Sequence, residues 1–164
     1  MKENIFQGQW SHSIEKYCLD NNILHWYYKI TDTASKIWIS AKKPFDCCLY
    51  MSWVFTWMEL KSTLELKSFS VDKVKGHQLY NLLKIKQSGG NAWVIIYITE
   101  FNQTAVFDVE HWINISEQFQ KAYSKKSIPN KQLLLLCNFT IKKEMAYWWN
   151  FLRLTYPRET SLNF

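Results

Sequence analysis

The chain has 164 residues, enough for one domain with a real core and too few to expect two, and its four Gly and three Pro exclude a disordered or linker-rich protein. Aromatics are abundant instead, with nine Trp, nine Tyr and ten Phe. The formal net charge of +6 suits a polyanionic partner, although a solvated lysine surface gives the same total.

The charge is unevenly spread. Residues 41–90 hold eight Lys against four acids, residues 91–124 one Lys against four acids, and residues 125–164 seven basic residues against two acids. The four cysteines, Cys18, Cys47, Cys48 and Cys137, form no CxxC pair, and neighbouring Cys47 and Cys48 would face opposite sides of a strand. That spacing argues against a zinc knuckle or a disulfide framework and for reduced, buried thiols in a cytoplasmic protein. The N-terminus lacks the apolar run of a signal peptide, and no segment is apolar for the length needed to span a bilayer.

In chain order, "QWSHSIEKYCLDNN" (9–22) predicts a helix, with Trp10, Ile14, Tyr17 and Cys18 at helical spacing. "ILHWYYKI" (23–30) predicts a strand, and "IWISA" (37–41) a short one after a loop. "FDCCLYM" and "VFTWMELKS" predict two strands joined by a tight turn near Ser52-Trp53, followed by a polar, partly extended connector. "VDKVKGHQLYNLLKIKQ" (71–87) predicts a helix that Gly89-Gly90 breaks. "NAWVIIYIT" is a β-branched run suited to a buried central strand, with "TAVFDV" as its hairpin partner. "EHWINISEQFQKAYSKK" predicts a helix, "QLLLLCNFTI" fits either helix or strand, and "KKEMAYWWNFLRL" (142–154) predicts a final amphipathic helix. The order specifies an α/β fold with a mixed central sheet flanked by helices, as one domain over residues 1–164.

The hairpin carries charges that its apolar surroundings make conspicuous. Glu59 and Lys61 stand two apart on one strand and so share a face, and a turn at 52–53 folds Asp46 toward Glu59. Two carboxylates and an ammonium converge at one end of a sheet. Hard oxygens from Asp46 and Glu59, with the Leu60 backbone carbonyl between them, suit Mg²⁺ and metal-assisted hydrolysis of a phosphodiester. Lys61 beside them would orient water or stabilise the transition state. The same three residues also fit a cross-strand ion pair at the surface.

Asp46 followed after a hairpin by Glu59-Leu60-Lys61 resembles the PD-(D/E)xK nuclease signature, with Pro44 as its proline. "KKPFDCCLY", "MELKST", "SFSVDKVKGHQLYNLLK" and "NAWVIIYI" resemble, in order and spacing, the RecU-type Holliday-junction resolvases, and "IEKYCLDNN" resembles that family's glutamate-bearing first helix. The resemblance covers roughly residues 8–125 and leaves 125–164 as a basic, aromatic extension. It implies a restriction-endonuclease-like core and a dimeric, Mg²⁺-dependent nuclease of recombination. It also implies Asp46 and Glu59 as metal ligands, Lys61 as the catalytic lysine, Glu15 as an accessory acid near the metal, and Gln78 as the polar residue of the following helix facing the site. Where the family's first strand ends in Arg, this chain has Lys29, and the long insertion of well-studied members is replaced by the few residues between Asp32 and Pro44.

Lys42, Lys43, Lys67, Lys73 and Lys75 flank the site and, with Lys29, are candidate phosphate contacts. Trp53, at a hairpin tip, is a candidate contact with DNA or a partner chain. Tyr147, Trp148 and Trp149 suit core or interface better than base stacking. The function expected is a structure-selective DNA endonuclease acting on four-way junctions as a homodimer, with Mg²⁺ replaceable by Mn²⁺. The alternatives are a nicking or restriction-type enzyme of a phage or mobile element, or a non-catalytic DNA-binding or inhibitor protein on the same fold.

Overall fold

The computed structural model describes residues 2–30, 43–63, 67–123, 126–144, 147–148 and 151–155. The chain opens with helix α1 (Glu3–Asp20) and strand β1 (His25–Lys29), followed by the hairpin β2 (Cys47–Met51) and β3 (Val54–Ser62). A short β4 (Ser68–Ser70) and a 3₁₀ turn lead into α2 (Gly76–Gln87), β5 (Asn91–Ile98) and β6 (Gln103–Asp108). Then come α3 (Val109–Tyr123), β7 (Ser127–Pro129), α4 (Asn130–Leu136), β8 (Phe139–Glu144), β9 (Tyr147–Trp148) and a closing 3₁₀ turn (Phe151–Leu154).

Seven strands form one sheet in the order β1-β2-β3-β5-β6-β8-β9, and β4 pairs with β7 in a second, two-stranded one. Within the large sheet β3 and β5 run parallel and every other pair is antiparallel. This is the expected mixed-sheet α/β architecture. The parallel pair needs a crossover, and α2 supplies it. Strand β5 is buried along nearly its whole length, as its β-branched run requires.

Each face of the sheet has its own core. Helix α1 lays Phe6, Trp10 and Ile14, a strict i, i+4 stripe, on Cys47, Leu49, Met58, Leu60 and Ile95, and Phe151 and Leu154 join them from the C-terminal segment. The opposite face buries Val94, Ile96, Ala105 and Phe107 under Leu82 of α2, Trp112 of α3 and Leu133 of α4. Residues 46, 59 and 61 belong to the α2 side by strand alternation, because Met58 and Leu60 point to α1.

Several expectations need correction. Helix α1 begins at Glu3, six residues before the predicted start at Gln9, because Phe6 extends the buried stripe and outweighs Gly8. Helix α2 begins at Gly76, since Val71–Lys73 form a separate 3₁₀ turn. The segment 132–141, ambiguous in sequence, is shared between α4 and β8. Among the described residues of 142–154 the predicted final helix is not found: Lys142 and Lys143 continue β8, which pairs Gln103↔Lys142 along β6 and Lys143↔Trp148 along β9. Lys143 and Glu144 find their backbone partners in Trp148 and Tyr147, which satisfies this stretch as a strand pair. The possible strand at 37–41 lies outside the described residues.

Candidate active site

The turn that builds the site is two residues long. Ser52 and Trp53 have φ of 51° and 68°, the left-handed pair that a tight hairpin demands, and neither is the Gly or Asn that adopts it most easily. This turn fixes the register Met51↔Val54 through Cys47↔Met58, and Asp46, just before β2, lies close to Glu59, the residue after Met58. The Asp46 N–H donates to the Met58 carbonyl at 3.2 Å, and the Asp46 carbonyl accepts from the Ile30 N–H at 2.8 Å. Three strands therefore meet at Asp46 and hold its backbone.

The Asp46 side chain reaches past the end of β2 and accepts the Leu60 N–H on Oδ2 at 2.8 Å. A strand residue's own N–H and C=O point to the same edge. The Leu60 carbonyl therefore faces the same gap beyond β2, away from the β5 ladder. Glu59 is fully buried and Lys61 nearly so, and Lys61 Nζ lies 2.6 Å from Glu59 Oε1. The same ammonium is 3.2 Å from Glu3 Oε1, in the first turn of α1. Lys43 Nζ lies 2.6 Å from Asp46 Oδ1. Beyond these 2.6 Å ion pairs and their mutual contact, Asp46 Oδ1 and the two Glu59 oxygens have no further hydrogen-bond partner among the described residues.

Burial pushes the Glu59 carboxyl up to about 8, and the Asp46 charge adds to this while Lys61 works against it. For Lys61, burial opposes the ammonium, but Glu59, Asp46 and Glu3 outweigh it and hold its affinity for the proton above the ordinary value. Nearby, burial pushes the Cys47 thiol well above its usual range and Cys18 up to about 11, so both are unreactive buried thiols. Cys48 and Cys137 are half-buried, and neither is in a disulfide.

A cleft of about 320 Å³ opens on the cluster, lined by Glu3, Lys61, Ser62, Lys73, Lys75 and Gln78. Gln78 is buried, and its Oε1 accepts the Lys75 N–H at 3.0 Å. That bond turns the amide so that the NH₂ is its remaining donor.

The placement of the other candidates is mixed. Glu15 is exposed on α1, twelve residues from Glu3 and so about 18 Å along the helix axis from the acid that pairs Lys61. The structure brings Glu3 to the cluster and not Glu15. The reason is that α1 crosses the sheet with its first turn, not its middle, over the end of β3. Glu3 was legible only by extending the stripe of Ile14 and Trp10 back to Phe6. Lys43 is engaged by Asp46 rather than free for phosphate. Lys73 and Lys75 line the cleft, Lys29 and Lys67 are exposed, and Trp53 is 84% exposed. Lys42 lies outside the described residues.

The donor set fits a hard divalent cation. Two carboxylates with unsatisfied oxygens and one carbonyl off its ladder offer the few protein ligands that Mg²⁺ takes while keeping water. Among the described residues no group of three or more His, Cys, Asp or Glu side chains is placed to hold a metal, so the carbonyl would be part of any such set.

The carboxylate pair and the lysine thus sit where interior strands β2 and β3 meet in a helix-flanked mixed sheet, in an α/β protein. The sequence model of the Recombination protein U family, RecU, matches residues 4–155, and the chain belongs to that family. Its function is accordingly the endonucleolytic resolution of Holliday junctions in recombination. The match runs on through residues 125–155, the stretch left outside the resemblance read from sequence. Among solved structures the chain is similar to Hjc of Archaeoglobus fulgidus, a Holliday junction resolvase from an archaeal hyperthermophile, at 15% identity and a TM-score of 0.41 over 68% of this chain and 78% of that one. A comparison with curated protein sequences yields no match.

Proposed function

We propose that the chain is a Mg²⁺-dependent endonuclease that cuts four-way DNA junctions as a homodimer, one nuclease domain per chain, in the cytoplasm where the DNA is. The observation that carries this reading is the convergence of buried Asp46 and Glu59 and the Leu60 backbone with Lys61, which lines the cleft. Asp46, Glu59 and the Leu60 carbonyl would hold the ion. When bound, it would neutralise charge on the phosphate and make water more acidic.

The chain's own groups supply the rest. Lys61 carries a fixed positive charge and N–H donors to the phosphate, and Glu3 and Glu59 hold its ammonium in place. Gln78 offers its NH₂ to the same cleft. Lys73 and Lys75 on the cleft, with exposed Lys29 and Lys67 beyond it, are suited to phosphates away from the cut. Glu3 replaces Glu15 in this reading as the accessory acid. Among the described residues no helix is long and apolar enough to cross a membrane.

The test is a substrate panel. Purified protein with four-way junction, flap, duplex and single strand should cut the junction first in Mg²⁺ or Mn²⁺, bind without cutting in Ca²⁺, and be inert in EDTA. Cleavage that persists in EDTA would rule out the metal mechanism. Equal cleavage of junction and duplex would instead favour a nicking or restriction-type enzyme.

A further inference from the structure

The sheet face that carries Glu59 and Lys61 continues into an aromatic surface that the proposed cleavage chemistry does not use. The register places Trp26, Tyr50 and Phe55 in one cross-strand row, and Tyr28, Cys48 and Trp57 in the next. Facing residues of a ladder share a side, so these rings lie on one face. Two residues beyond Trp57 on the same face of β3 stands Glu59, with Asp46 beside it at the proposed catalytic end.

These rings are open to solvent. Trp26, Tyr28 and Phe55 are 51%, 52% and 47% exposed, and Trp53 stands above them at the hairpin tip. Trp26 and Tyr28 stack nearly parallel, with 5.6 Å between centroids and 6° between planes. Phe55 and Trp57 stack at 5.8 Å, and Tyr50 meets Trp53 edge to face. The two stacked pairs present exposed ring faces, the surface on which flat heteroaromatic bases stack. Charge agrees with this in one respect: the face bears no exposed acid, since the carboxylates of Glu59 and of Asp46 beside it are buried.

We propose that this face is a stacking platform for unpaired DNA bases next to the cut. The inference rests on the nuclease reading only for where the cut lies. At about 3.4 Å per strand residue, Trp57 is about 7 Å and Phe55 about 14 Å from Glu59. Stacked nucleotides advance about 3.4 Å each, so the platform takes bases roughly two to four nucleotides from the scissile phosphate. Bases that open at a branch point are the substrate it selects, and fully paired duplex offers it none.

The experiment runs in EDTA, so it does not depend on cleavage. Wild-type protein is photocrosslinked to junctions carrying single 5-bromouracil substitutions at each position near the branch, and the adducts are mapped by mass spectrometry. Crosslinks should fall on the peptides bearing residues 26–28 and 53–57, from positions near the branch. In parallel, Trp26→Leu and Phe55→Leu should each weaken binding of oligo-dT and of a junction with unpaired bases by roughly 5- to 150-fold, with blunt duplex unchanged. Crosslinks confined to other peptides would overturn the proposal, as would variants that bind every DNA like wild type. Loss on duplex and single strand alike, with an assembly falling to monomers, would make the face a contact between copies and overturn it too. A protein that fails to cut in Mg²⁺ yet gives the expected crosslinks would refute the nuclease reading and leave the platform standing.

Discussion

Glu59 is fully buried, and its carboxyl is pushed from an ordinary 4.5 to about 8 by that burial and by Asp46. The folded chain therefore keeps a proton on Glu59 over a pH range in which the unfolded chain has lost it. The penalty is absent below about 4.5, grows as pH rises, and is complete above about 8. In EDTA, the melting temperature should fall between pH 5.5 and pH 8.5, and Glu59→Gln should flatten that fall and melt above wild type at pH 8.5. A wild-type and variant pair with parallel pH profiles would contradict the account. Glu3 and Glu15 give a second test on one helix. Glu3 pairs with Lys61 and Glu15 does not reach the cluster, so Glu3→Gln should slow junction cleavage about ten-fold or more, while Glu15→Gln should cut near the wild-type rate. The reverse order in single-turnover assays would return the accessory role to Glu15.

Helix α1 couples the core to the site, since Phe6, Trp10 and Ile14 seat it on the sheet and thereby set Glu3 beside Lys61. Trp10→Ala should destabilise the protein by about 3–5 kcal/mol, because a fully buried ring leaves a cavity. Chemical denaturation would measure it, and a loss under 1 kcal/mol would mean that α1 is not seated as described. At this scale the sequence was partly legible. Alternation alone placed Glu59 and Lys61 on one face, and the two-residue turn at 52–53 brought Asp46 close to Glu59, because register follows directly from turn position. The start of α1 was obscured by Gly8, whose low helix propensity is outweighed by tertiary burial of Phe6. The C-terminal segment misled for a similar reason: "KKEMAYWW" has helical spacing, yet Lys142 finishes the pairing of β8 with β6 and Lys143 and Glu144 pair with Trp148 and Tyr147. The pairing of Lys43 with Asp46 had no sequence signal beyond proximity, since several lysines stand near the motif.

At the scale of the molecule, the lysines of residues 41–90 and the basic residues of 125–164 supply the excess charge, +4 and +5, against −3 in residues 91–124. Binding that neutralises several phosphates should weaken steeply with salt, and a two-fold assembly would give the two sites that symmetric resolution of a junction needs. Light scattering should find a homodimer at micromolar concentration, and titrations between 50 and 200 mM salt should lose about 10³-fold or more in junction affinity. A strict monomer would contradict the paired-site reading. The most direct measurement is junction cleavage in Mg²⁺ by wild type, Asp46→Asn, Glu59→Gln and Lys61→Ala, with binding measured in Ca²⁺ on the same samples. The account predicts that wild type cuts and that each variant is folded, binds the junction near wild-type affinity and does not cut. A folded Glu59→Gln protein that cuts at the wild-type rate would contradict it.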